Sequence, residues 1–228
     1  MILPRSALAK LLAEFVGTAF LLAAVVGSGI MAENLTDDVG LQLLQNAFAT
    51  GLVLAALILA FGGVSGAHFN PAVTLTERAL GGIDTRTAAG YLVAQFSGAI
   101  AGAVMANVMF DLPAVAWSLK DRSAGHIIFA EGVATLGLLL IIFGTVRSGK
   151  PSTVAFAVGG YIGGAYYFTS STSFANPAVT VARMFSDTFA GIAPASAPAF
   201  VGSEAGAVVV AVVLIRLCFP VERTPEDS

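Results

Sequence analysis

The residues best equipped for chemistry in this chain are amides and carboxyls embedded in apolar sequence. Asn70 and Asn176 each open the string Asn-Pro-Ala-Val-Thr, and the two copies stand 106 residues apart. Asn at an N-cap, Pro in the first turn and helix-compatible residues behind them read as a helix start. One such pentad is an ordinary capped helix. Two, equally placed in two apolar halves, read as paired half-membrane helices from an inverted repeat. Each half-helix would bring free N–H groups and a partial positive charge to the membrane midplane. There the Asn amides could donate hydrogen bonds to water or a hydroxylated solute, while the two positive ends repel protons and cations. A central substrate site in an alternating-access carrier is the other chemistry this arrangement serves.

The carboxyls repeat as well. Glu14-Phe-Val-Gly-Thr18 matches Glu131-Gly-Val-Ala-Thr135, with Leu21-Leu22 and Leu138-Leu139 at the same offset. In a carrier Glu14 and Glu131 would be coupling residues. Their matched positions fit a structural duty better: accepting backbone N–H groups from the irregular segment before each Asn-Pro-Ala helix. His68 reads either as a pH-sensing pore residue or as a neutral histidine tying the same bend. Gln95 and Glu204 fall near the starts of the third and sixth apolar runs. Glu204 is an acid in an otherwise apolar run, and sequence leaves open whether it faces a pore, another subunit or the loop backbone. Tyr91, Tyr161, Tyr166, Tyr167 and Trp117 read as interface or packing residues.

Positioning these groups takes a membrane. The chain is 57% hydrophobic, 11% charged and has a mean hydropathy of +0.86, whereas a soluble domain carries roughly 25% charged residues. Most of its outside must face lipid. At 228 residues it has room for six spans of about 20 residues. The spans are expected at 8–31, 42–63, 88–110, 125–144, 152–168 and 200–219, with half-helices at 70–78 and 176–185. The opening apolar run continues to about Met31 without a cleavage context, so it reads as a span rather than a leader. The expected architecture is an all-α membrane protein forming one channel domain over 1–228. Its repeats are 8–110 and 125–219, followed by a tail at 220–228. Three spans plus a half-helix per half turn the second half upside down.

With the N-terminus inside, Arg5, Lys10, Arg78, Arg86, Arg147, Lys150, Arg216 and Arg223 fall on the inner side, and Lys120, Arg122 and Arg183 on the outer. The excess places both termini in the cytoplasm. A net charge of −3 gives no reason to expect a nucleic-acid partner. Cys218 stands alone, so neither a disulfide nor a cysteine metal cluster is expected. There is no phosphate-binding glycine loop, metal-ligand set or nucleophile motif. The chain is therefore read as no enzyme, with no cofactor and no metal.

The string Ser65-Gly66-Ala67-His68-Phe69-Asn70-Pro71-Ala72-Val73-Thr74, the second Asn176-Pro177-Ala178, the repeated Glu-x-x-x-Thr and Tyr91-x-x-x-Gln95-x-x-Gly98-Ala99 resemble the aquaporin and glycerol-facilitator (major intrinsic protein) family over the whole chain. That resemblance implies six spans, two re-entrant half-helices and a homotetramer with one pore per subunit. It also implies a narrow ring outside the two Asn-Pro-Ala motifs, which in the family normally holds an arginine right after the second motif. Here that position is Val179. By the family's spacing the other ring positions fall on Thr50, Gly164 and Ser173. The usual aromatic is missing, with Phe48 close enough for a small register change to supply it. Arg183, one turn beyond Val179, is a candidate for the outer vestibule, for folding over the pore or for snorkelling to the lipid headgroups. The stretch from Arg183 to Ile192 resembles the branch without the filter arginine, some members of which are associated with bacterial arsenic resistance. The implied solutes are small, neutral and hydroxylated: arsenite, glycerol-like molecules and water. The alternatives are a water-selective channel with Arg183 folded into the filter, a gradient-coupled carrier, and a structural membrane protein.

Overall fold

Eight α-helices and two 3-10 turns make up the described part of the computed structural model, residues 6–220. Arg5, Arg223 and the expected tail beyond Pro220 lie outside it. Among the described residues there is no strand. The helices are α1 (Ala7–Leu35), α2 (Val39–Ser65), α3 (Pro71–Leu80), α4 (Thr85–Met109), α5 (Gly125–Arg147), α6 (Val154–Phe168), α7 (Pro177–Ala182) and α8 (Ala197–Cys218).

Five of these, α1, α2, α4, α5 and α8, are long and apolar enough to cross a membrane. The sixth expected span, α6, has 15 residues and is preceded by a 3-10 turn at Pro151–Thr153. At 1.5 Å per residue its α-helical part reaches only about 22 Å of a roughly 30 Å hydrocarbon core. The ten residues of α3 reach about 15 Å, half the core. The second half-helix departs from the continuous helix expected over 176–185. Its α-helical part stops at Ala182, and a 3-10 turn continues over Arg183–Phe185.

Local sequence explains where the helices start. Ser6, Asp38 and Asp84 accept the third amide of their helices, from Ala9, Leu41 and Thr87. Asn70 Oδ1 accepts Ala72 N–H at 2.8 Å, and Asn176 Oδ1 accepts Ala178 N–H at 3.0 Å. Both Asn residues thus cap their own half-helices. α2 and α3 end at Gly66 and Gly81 in the left-handed region, at φ +91° and +89°.

Packing follows the repeat. α1 pairs with α4 as α5 pairs with α8, and α1 touches α2 as α5 touches α6. The half-helices cross over: α3 packs on α8 of the other half, and α7 on α4. α1 and α4 meet backbone to side, because a Cβ on Gly102 would stand 2.1 Å from the Ala19 carbonyl oxygen, and one on Gly98 2.3 Å from that of Phe15. Only glycine permits this approach. The result is an inverted three-plus-three helical repeat with two re-entrant half-helices.

Candidate functional site

The segments before the half-helices pass repeatedly through left-handed backbone. Ala67 and Phe69 have φ of 51° and 49°, and Ser173 and Ala175, at the same offset as the pentads, both have 50°. For residues with a Cβ this conformation costs on the order of 1 kcal/mol each, so something must hold it. In the first half Glu14 does. Its Oε1 accepts Ser65 Oγ–H at 2.6 Å and His68 N–H at 3.0 Å, and its Oε2 accepts Phe69 N–H at 2.7 Å and Gln95 Nε2–H at 2.8 Å. In the second half Glu131 accepts Phe174 N–H at 3.2 Å and Ala175 N–H through its other oxygen. Glu14, Gln95 and Glu131 are fully buried. Gln95 also donates to Thr74 Oγ1 at 2.8 Å. The His68 ring joins the same cluster, its Nδ1 3.0 Å from Thr74 Oγ1 and its face edge-on to Tyr91. It ties the bend and lines the cavity beside it.

Glu204 belongs to the same scaffold. Its Oε1 accepts Asn176 N–H at 3.0 Å and Thr180 Oγ1–H at 2.8 Å. It is fully buried and faces the start of α7, the loop-backbone option of the three that sequence left open.

The half-helices meet through their asparagines. Asn70 Nδ2 donates to the Ala175 carbonyl at 2.7 Å, and Asn176 Nδ2 donates to the Phe69 carbonyl at 2.8 Å. Each amide therefore caps its own helix with oxygen and clasps the opposite half with nitrogen. An NH2 group carries two hydrogens, so one per side chain stays available. Both residues line a cavity of about 530 Å³. The cavity runs from Val146, Ser152 and Glu77, at one end of the bundle, past the two asparagines to Thr50, Ser173, Val179 and Arg183.

This last group is the constriction candidate; one residue counted toward it from sequence, Gly164, sits elsewhere, and so does Phe48, the residue a register change was to supply. Gly164 is exposed on the outer face of α6 and does not line the cavity, and Phe48 is 67% exposed on the outside of α2. Tyr166 takes the cavity position on α6, its hydroxyl 3.2 Å from Thr50 Oγ1. Its aromatic body gave no sequence signal that separates it from a packing tyrosine. Arg183 does not snorkel. It is 2% exposed, its Nε donates to the Ala190 carbonyl, and its guanidinium carbon lies 3.4 Å from the Phe174 ring centroid. Arg183 Nη1 and Ser173 Oγ are buried and have no hydrogen-bond partner. The neighbouring loop supplies Arg122, which donates to Gly191 and Ser171 carbonyls at 3.0 and 3.2 Å and covers the same phenylalanine. Burial pushes the Arg122 guanidinium down to about 10. Burial, then the charges of Arg122 and Arg183, pushes the Lys120 amine down to about 8. Among the described residues no group of three metal-ligating side chains forms.

Interlocked half-helices, a membrane-length bundle and a cavity passing their tips define an integral, multi-pass membrane protein of the re-entrant half-helix class. The family model described as major intrinsic protein matches residues 3–153. The chain is 48% identical over 207 residues to aquaglyceroporin AqpS of Rhizobium meliloti (strain 1021), covering 91% of this chain and 88% of that protein. It is 32% identical to aquaporin-5 of Ovis aries over 225 residues, covering 91% and 80%. The X-ray structure of the aquaglyceroporin from Plasmodium falciparum superposes with a TM-score of 0.70 at 21% identity, covering 95% of this chain and 97% of that one. The chain belongs to the major intrinsic protein family.

Proposed function

We propose that the protein is a passive channel for small uncharged hydroxylated solutes, glycerol-like molecules and arsenite among them, with water passing too. The observation that carries this is the outer end of the cavity. There two buried donors without partners, Arg183 Nη1 and Ser173 Oγ, stand near the Thr50 and Tyr166 hydroxyls and the apolar wall of Val179. Polar groups that line the cavity can exchange hydrogen bonds with the hydroxyls of a solute as it passes. A trihydroxy solute can turn its hydroxyls to the polar side and its less polar flank to Val179. The role needs no catalytic residue and no cofactor.

Arg183 supports a second reading. A guanidinium in the cavity lining narrows it, and the channel would then select water. Stopped-flow flux through proteoliposomes separates the two. On the hydroxylated-solute reading, wild type conducts glycerol and arsenite, and Val179→Arg cuts both far more than it cuts water. On the water reading, wild type conducts water alone and Arg183→Ala admits glycerol. Saturable, gradient-dependent transport points to a carrier instead, and no accelerated flux of any solute to a structural protein.

The working form is proposed to be a homotetramer in a bacterial-type inner membrane, with both termini cytoplasmic. Arg78, Arg147 and Arg216 lie at the α3 and α8 C-terminal end of the bundle, where Arg147 and Arg216 donate to Phe219 and Ala79 carbonyls. The basic residues of the 120–122 loop lie at the opposite end. Cys218, the chain's one cysteine, is exposed at the first end. A membrane-impermeant thiol reagent added to intact cells should leave Cys218 unlabelled until the membrane is opened. Immediate labelling would reverse the orientation.

A further inference from the structure

We infer that Glu204 is a positioning residue that carries a proton at neutral pH, and that this proton keeps the second half-helix in its conducting form. The argument is a comparison of the two halves. In the first, Glu14 is partnered by a neutral amide, Gln95, which also contacts Thr74, the last residue of the first pentad. In the second, Thr180 ends the pentad, and the side chain that contacts it is Glu204. The place of Gln95 is thus filled by a carboxyl, and its neighbour is the Glu131 carboxyl. Both acids are fully buried. Glu204 Oε1 is satisfied by Asn176 N–H and Thr180 Oγ1–H, but Oε2 has no hydrogen-bond partner.

An ionised Glu204 would leave a charged oxygen without a donor beside a second carboxylate, in a membrane interior that tolerates neither. A proton on Oε2 removes the charge. It also supplies Glu131 with the donor that Gln95 supplies to Glu14. The other charged and titratable groups around the pair do not replace that proton. From α5 comes Glu131 itself. The 3-10 turn and the outer loop bring Arg183 and Arg122, whose charges act on Glu131. Their hydrogen bonds go to the Ala190, Gly191 and Ser171 carbonyls. α6 brings Tyr161, which donates to the Ala134 carbonyl, and Tyr166, which faces Thr50. α3 carries Glu77 and Arg78 in its last turn, at the end of the bundle where Arg216 of α8 caps Ala79.

Loss of the proton would set a negative charge against Asn176 N–H, at the positive end of α7. That end repels cations only while its field is uncompensated. Alkaline pH should therefore weaken cation exclusion, a consequence that rests on the channel reading above; the proton itself does not.

Infrared spectroscopy of wild type in lipid should show a protonated-carboxyl carbonyl band at neutral pH that titrates away reversibly in alkali. Glu204→Gln should abolish that band. It keeps an oxygen for Asn176 and Thr180 and offers Glu131 an amide, as Gln95 does for Glu14. In proteoliposomes the cation leak of wild type should rise severalfold from neutral to alkaline pH, and that of Glu204→Gln should stay flat. No carboxyl band in wild type, or a band that survives in Glu204→Gln, overturns the assignment whatever the protein conducts. A band that behaves as expected, with the same alkaline leak in wild type and Glu204→Gln, overturns the link to the half-helix. Failure of the channel reading alone would leave the band in place and remove all flux.

Discussion

Replacing Glu14 by leucine is expected to abolish the folded protein. The carboxylate accepts four donors in the membrane interior: the Ser65 hydroxyl, the His68 and Phe69 amides and the Gln95 side chain. Leucine matches its bulk and accepts none of them. Each buried donor left unsatisfied costs roughly 1–3 kcal/mol, and no water is at hand to replace the acceptor. Even the low end of that sum is comparable to the roughly 5–15 kcal/mol that separates a folded domain from its unfolded state. The left-handed backbone at Ala67 and Phe69 would lose what holds it, and the first half-helix its fixed start. Monodisperse protein recovered on size exclusion in mild detergent should fall by at least about tenfold, as expected once the loss exceeds the fold's own stability by more than about 1.4 kcal/mol. Glu14→Gln should be intermediate, since one oxygen remains and the amide nitrogen faces donors. A Glu14→Leu protein that purifies and conducts like wild type would show that the carboxylate is dispensable.

Asn176→Asp should damage function more than stability. The side chain keeps its shape and its capping oxygen for Ala178. The nitrogen that clasps the Phe69 carbonyl becomes an oxygen, so a hydrogen bond turns into a contact between two acceptors. The lost bond costs about 1–3 kcal/mol, felt where the two halves meet. The new carboxylate also places a negative charge between two helix N-termini, which on the channel reading repel cations. Neutral-solute flux should drop severalfold and cation leak should become measurable in liposomes under an imposed potential. Unchanged flux together with unchanged leak would show that Asn176 acts only as a cap.

Several features of this molecule are legible one residue at a time. The caps at Asn70 and Asn176 are local, because an N-cap contacts an amide two or three residues ahead. The duplicated Glu-x-x-x-Thr and Asn-Pro-Ala-Val-Thr strings declare a repeat before any contact is known. The ring position that sequence misplaced, Gly164, is on a helix, and the misplacement has a simple cause. Each residue turns an α-helix by about 100°, so a count two residues off swings a side chain by about 200°. Gly164 and Tyr166 differ by that amount on α6, and Phe48 and Thr50 by the same on α2. In each pair one residue faces outward and the other the cavity.

Sequence by itself determined that the chain lives in a membrane, that it folds as two inverted halves and that each half carries a capped half-helix beside a buried acid. Those properties follow from composition, from short-range hydrogen bonds and from periodicity, all of which are written along the chain. Tertiary structure alone decided where the long and polar side chains end. Arg183 turns inward because the Ala190 carbonyl and the Phe174 ring, brought in by separate loops, offer its guanidinium a place. Glu204 serves the second half-helix because α8 packs against α7 and sets its carboxyl on Asn176 N–H. A side chain with several rotatable bonds goes to whichever partner the packed helices leave within reach, and that partner is fixed only when the two halves close on each other.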